Sequence, residues 1–221
     1  MHPKFPYQAV IFDLDGTLID SAPSILKSFG SALQRAGIEP LRPLDGSLIG
    51  PPLRQTLSNL TGISEAATLD TLTDYFKESY DSEGYRSTLV YDGVAQLLAF
   101  LAGEGVPLAI ATNKRELPTL KILEFLGWRG YFSRVGAPDS ASPPYPNKAA
   151  LIASVLGDMG VDGAASLYVG DTLGDGEAAQ ANRMPFLAAG WGYGSWEAPT
   201  TLSNWSYSGS VVEFSRLLGM P

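Results

Sequence analysis

The stretch Gln8-Ala9-Val10-Ile11-Phe12-Asp13-Leu14-Asp15-Gly16 decides the fold. It opens with a short apolar run and ends in turn-forming residues, the pattern of a buried strand running into a sharp turn. The pattern recurs downstream. Val106 to Ala111 ends at Thr112-Asn113-Lys114, Phe132 to Gly136 is a short run, Ser166 to Val169 ends at Gly170-Asp171, and Pro185 to Ala188 is the last. Helical patterns separate these runs: from Asp92, read as a cap, to Gly103; from Pro118 to Phe125; from Lys148 to Leu156; and from Glu177 to Asn182. Short apolar strands alternating with helices imply an α/β fold, a parallel sheet covered on both faces.

One block interrupts the alternation. Asp20-Ser21-Ala22-Pro23 starts a helix, with Ser21 as N-cap and Pro23 in the first turn, that runs to about Arg35 before Gly37. Residues 38–52 are rich in Pro and Gly, and helical patterns follow over 53–60 and 64–80. The block therefore reads as a helical cap, residues 20–87, inserted into a core of residues 1–19 and 88–221.

Composition narrows the chemistry. The chain has 221 residues, which suggests one or two domains, and a formal net charge of −8. That charge argues against nucleic acid or an anionic membrane as partner, but leaves room for a small anion in a local positive pocket. Cysteine is absent, which removes disulfides, thiolate nucleophiles and thiolate-bound metals. The one histidine, His2, stands near the start of the sequence, so a Ser–His–Asp triad is disfavoured. No apolar run approaches the ~18 residues of a membrane span, and no signal peptide is evident, so a cytoplasmic location is expected. Carboxylates, hydroxyls, lysines, backbone amides and a hard metal are left to carry any catalysis.

Such groups cluster at one edge. The first strand delivers Asp13 and Asp15, the second Thr112 and Asn113, and the fourth Asp171, with Asp175 four residues on. Each alone is an ordinary turn or cap. Together they fall where open parallel sheets bind ligands. A carboxylate there can attack phosphorus and form an aspartyl phosphate, and a second can carry the proton. Carboxylates repel a phosphate dianion, so a divalent cation is required, and all-oxygen ligands point to Mg²⁺. Asp13, Asp171 and Asp175 offer the ligands, and Thr112 with the amides after it can hold phosphate oxygens.

Phe12-Asp13-Leu14-Asp15-Gly16-Thr17-Leu18 resembles the first motif of the haloacid dehalogenase superfamily. Ala111-Thr112-Asn113-Lys114 resembles its second motif, and Gly170-Asp171-Thr172-Leu173-Gly174-Asp175 its fourth. Ile49-Gly50-Pro51-Pro52-Leu53 and Trp191-Gly192-Tyr193-Gly194 look like the phosphoglycolate phosphatase-like branch of the helical-cap subfamily. The resemblance implies a Rossmann-like core and a Mg²⁺-dependent phosphatase acting on a small phosphorylated metabolite. It makes Asp13 the nucleophile, Asp15 the acid and then the base, and Thr112 a phosphate ligand. Mg²⁺ would be held by the Asp13 carboxylate, the Asp15 backbone carbonyl, Asp171 and Asp175.

The third motif departs from the commoner pattern. Ser142-Pro143-Pro144-Tyr145-Pro146 has proline where many relatives have lysine, and Lys148 follows in Asn147-Lys148-Ala149. Some members place lysine in such a setting, usually with arginine three residues earlier, where Tyr145 stands here. Lys148 is the candidate for stabilising the phosphate and Asp13. Asn113, Lys114, Gly50, Pro51 and Arg54 are candidate substrate contacts, while Trp191 and Tyr193 read as packing at a glycine-rich turn. The alternatives are a 5′-nucleotidase, a β-phosphoglucomutase-like sugar phosphomutase and a phospho-acceptor protein with little turnover. Phosphoglycolate would favour a closed polar pocket, whereas a nucleoside monophosphate would need an aromatic or apolar platform. Oligomeric state is not legible.

Overall fold

The computed structural model describes residues 5–196 and 204–220. Strand β1, Val10–Phe12, is buried along its whole length. Its Val10 and Phe12 side chains enter one hydrophobic cluster and Ile11 the other, as the period of two requires. After β1 come β2 (Ile19–Asp20), α1 (Ala22–Ala36), α2 (Leu53–Thr61), α3 (Ala66–Ser82), β3 (Leu89–Val90) and α4 (Val94–Gly103). Then follow β4 (Leu108–Ala111), α5 (Glu116–Phe125), β5 (Phe132–Gly136), α6 (Lys148–Met159), β6 (Leu167–Gly170), α7 (Leu173–Ala181), β7 (Phe186–Ala189), β8 (Trp205–Ser208) and α8 (Val211–Leu217).

The main sheet has six strands in the order β5-β4-β1-β6-β7-β8. All its pairings are parallel. Val10 lies opposite both Leu108 and Leu167, so β1 is central. Chain order reverses between β1 and β6, which creates the crevice at the carboxyl ends of the strands where doubly wound sheets bind ligands. Leu98, Leu101, Ile122, Leu123 and Phe214, from α4, α5 and α8, cover the face of Val10 and Phe12. Leu151, Ile152, Val155 and Ala179, from α6 and α7, cover the face of Ile11 and Tyr168.

The residues between β2 and β3 are helices and loops. Ile25, Phe29, Ala32 and Leu33 form the buried stripe of α1 at helical spacing, and Leu69, Leu72, Phe76 and Tyr80 that of α3. The stripes meet, with the Phe29 and Phe76 ring centroids 4.7 Å apart. Gly37 stops α1 in a left-handed conformation, φ 67°. β2 and β3 pair antiparallel, Ile19 with Val90 and Asp20 with Leu89, so the two ends of the helical segment lie side by side.

Some element ends differ from the sequence expectation. Helix α7 starts at Leu173, four residues before Glu177, because Thr172 and Asp175 form a reciprocal capping box that overrides the low helix propensity of Gly174 and Gly176. Gly93, φ 88°, rather than Asp92, occupies the N-cap of α4. Helix α5 begins at Glu116 and takes Pro118 into its first turn, where no intrahelical N–H is needed. The two-residue strands β2 and β3, and β8 and α8 near the C-terminus, have no counterpart in the sequence reading.

Candidate active site

Asp13 directly follows β1, and its backbone N–H donates to the Val169 carbonyl at 2.9 Å, which fixes it against β6. Leu14 is fully buried between the two acids, and Asp13 and Asp15 both line one cleft. Gly16 then turns the chain at φ 82°, and a Cβ there would collide with the Asp171 carboxylate and the Tyr193 ring. The Asp15 carboxylate receives Lys114 Nζ at 3.0 and 3.1 Å. It also accepts the Ser21 hydroxyl. Ser21 holds the N-cap position of α1 but makes no side-chain cap, because its hydroxyl is spent on Asp15.

Across the crevice, Asp171 directly follows β6 and the first turn of α7 carries Asp175. Each of Asp13, Asp171 and Asp175 offers a carboxylate oxygen within 4.8 Å of the other two, and all three residues are buried. Burial first, then the neighbouring Asp13 and Asp175, pushes Asp171 up to about 8. Burial likewise pushes Asp13 up to about 6 against the pull of Lys148. Lys148 Nζ donates to Asp13 Oδ1 at 2.9 Å and pairs with Asp175 Oδ1. Burial works against its charge, but Asp13 and Asp175 more than offset that and hold its pKa well above the usual lysine value.

One ammonium among three buried carboxylates leaves excess negative charge. Among the described residues Asp171 Oδ1 is buried with no hydrogen-bond partner, although Oδ2 accepts the Tyr193 N–H at 2.8 Å. An all-oxygen donor set with one orphaned oxygen fits a hard divalent cation. The Asp15 carboxylate stands outside this cluster, with Lys114 and Ser21.

Thr112 follows β4 and is buried, and its Oγ1 accepts the Lys114 N–H at 3.2 Å. Asn113 Nδ2 donates to the Gly50 carbonyl at 2.9 Å, tying the loop after β4 to the helical segment. Gly50 and Pro51 line the cleft with Asp13, Asp15 and Thr112. Arg54 does not. Expected to meet substrate anions, it is half exposed on α2, paired with Asp70 and donating to the Ala66 carbonyl at 3.2 Å. Tyr145, in place of the usual arginine, shares a 2.8 Å hydrogen bond with Ser154 on α6. His2 lies outside the described residues.

Three site residues escaped the sequence reading. Tyr80 borders the cleft under Lys114, whose Nζ sits 4.5 Å from its ring centroid, but its spacing from Leu72 and Phe76 marks only a buried helix face. The Ser21 hydroxyl reads as a cap. Tyr193 does more than pack: its hydroxyl accepts the N–H groups of Ser21 and Ala22 at 2.8 and 3.0 Å and donates to Asp20 at 2.8 Å. Trp191 Nε1 donates to the Thr17 carbonyl at 2.9 Å, so the glycine-rich turn straps the segment after β1 to β6.

The haloacid dehalogenase-like hydrolase family matches residues 10–189. A tyrosine-protein kinase PtkA of Mycobacterium tuberculosis is 32% identical over 216 residues, covering 96% of this chain and 73% of that protein. A phosphoglycolate phosphatase of Xylella fastidiosa is 33% identical over 225 residues, covering 98% and 93%. Among solved structures, a predicted phosphatase from Clostridium acetobutylicum superposes with a TM-score of 0.86 at 27% identity, covering 97% of this chain and 99% of that one. With its motif acids gathered at the switch point of a doubly wound sheet, the chain belongs to the haloacid dehalogenase-like hydrolase family.

Proposed function

We propose that the protein is a phosphatase that hydrolyses a small phosphomonoester through an aspartyl phosphate on Asp13. The observation that carries this reading is the arrangement around Asp13: a buried carboxylate with Lys148 on one oxygen, Asp171 and Asp175 behind it, and Asp15 and Thr112 along the same cleft. The phosphatase names of several relatives support it.

In the first step an Asp13 oxygen attacks phosphorus and the phosphorus–oxygen bond to the alcohol breaks. Asp15 gives its proton to the departing alkoxide. In the second step the Asp15 carboxylate takes a proton from water, that water's oxygen bonds to phosphorus, and the bond from phosphorus to Asp13 breaks. Lys148 offsets the charge that grows on the five-coordinate phosphorus, and Thr112 holds a phosphate oxygen. Mg²⁺ held by Asp13, Asp171, Asp175 and the Asp15 carbonyl would offset the repulsion between these carboxylates and the phosphate dianion.

Residues 20–87 act in this reading as a cap that closes over the leaving group, hinged where β2 and β3 run side by side. The kinase-named relatives favour a second reading, in which the same aspartyl phosphate passes to a hydroxyl acceptor instead of water. Incubation with a generic aryl phosphate, with and without an added phenol, separates the two. Free phosphate is expected to account for all turnover, to vanish on chelation and to return with Mg²⁺. Asp13→Asn is expected to lower it at least about 1,000-fold. Full activity after exhaustive chelation, or in Asp13→Asn, would sink the proposal, and phosphorylated phenol would favour the second reading.

A further inference from the structure

The cleft has two unlike ends, together enclosing about 580 Å³ including open solvent. One holds the acids, Thr112 and Lys114. The other is walled by Ile25 and Phe29 of α1, Leu48, Leu53 of α2 and Phe76 of α3, with the Tyr80 ring between the two, under Lys114. The cations bordering the cleft are already engaged. Lys114 is bound to Asp15, and Arg115 makes a two-pronged pair with Asp81 at 2.9 and 2.6 Å. The Asn113 amide donates to the Gly50 carbonyl.

From this wall we infer that the natural substrate carries an apolar leaving group, aryl or branched alkyl, rather than an acidic one such as glycolate. The inference rests on the proposed hydrolysis at Asp13 and adds the substrate class. A carboxylate placed against Phe29, Leu53 and Phe76 loses its water and gains no free cation, so it binds at a penalty. An apolar group there is removed from water against surfaces that already exclude it.

The test compares benzyl phosphate with phosphoglycolate, two esters of unactivated alcohols, for phosphate release with Mg²⁺ present. The phosphonates 2-phenylethylphosphonate and 3-phosphonopropionate, in which a methylene replaces the ester oxygen of each, repeat the comparison by calorimetry, which reads binding whether or not turnover occurs. The aryl compound is expected to lead by about tenfold or more in both, the ratio that one uncompensated buried polar group imposes. Leu53→Lys places a cation at the half-buried start of α2 and is expected to narrow or invert that ratio. Equal or better use of phosphoglycolate, equal binding of the two phosphonates, or an unchanged ratio in Leu53→Lys would overturn the inference and leave hydrolysis at Asp13 standing. Tighter 2-phenylethylphosphonate binding with no turnover of either ester would support the apolar wall and defeat the proposed reaction instead.

Discussion

Lys148 and Asp171 carry opposite halves of the charge balance at the site. Lys148→Ala leaves Asp13 and Asp175 facing each other with no ammonium between them. Turnover is expected to fall about 100- to 1,000-fold, read as kcat for a generic aryl phosphate. Asp171 works in the other direction. Its folded pKa is raised from 3.8 to about 8, so the folded state binds its proton more tightly than the unfolded state does. That contribution to stability is complete below about pH 4 and is lost as pH rises toward 8. Asp13, raised to about 6, adds to the same slope over the lower part of that range. In chelator, Asp171→Asn is expected to melt higher than the parent at pH 8, by about 3 °C for each 1 kcal/mol relieved, and to show a shallower pH dependence. A melting temperature unchanged at pH 8 would show that the cluster holds no such repulsion. These acids were legible in the sequence because their residue types and positions after apolar runs are themselves the signal. Arg54 shows the converse: a short motif gives its neighbourhood but not the direction of a flexible side chain, and here that side chain pairs with Asp70.

Among the elements, the turn after β7 joins parts of the chain that no local pattern connects. Tyr193 receives two backbone N–H groups at the start of α1 and so replaces the cap that Ser21 does not supply. Tyr193→Phe leaves both donors without that acceptor, at a cost of about 1–2 kcal/mol. Faster amide exchange at Ser21 and Ala22 is expected, together with a lower melting temperature; exchange rates equal to the parent's would show that the hydroxyl is dispensable. Central strands and their helices could be read ahead because each announces itself by its own apolar period. β8 could not: Trp205 to Ser208 alternates weakly, and its place on the sheet comes from pairing with β7. The start of α7 was hidden by its two glycines, of which Gly176 is there for space, since a Cβ on it would run into the Trp205 ring.

At the scale of the whole molecule, the loop after β4 and the helical segment meet through Asn113 and Gly50, and α5 meets α3 through Arg115 and Asp81. If the segment closes as a cap, Asn113→Ala removes a latch of the closed form. KM is expected to rise several-fold while kcat changes less than about twofold. A matching loss in both would place Asn113 in the chemistry instead. The sheet order has a further consequence, for the order of events during synthesis. Strand β1 leaves the ribosome well ahead of its partners, Leu108 to Ile110 on one side and Leu167 to Val169 on the other. Until those arrive, Val10, Ile11 and Phe12 have no ladder, and pairings so distant in the chain form slowly. Asp13 is thus translated before the strands that position it, and a nascent chain halted before Leu167 exposes an apolar strand edge that a chaperone or another unfinished copy would meet first.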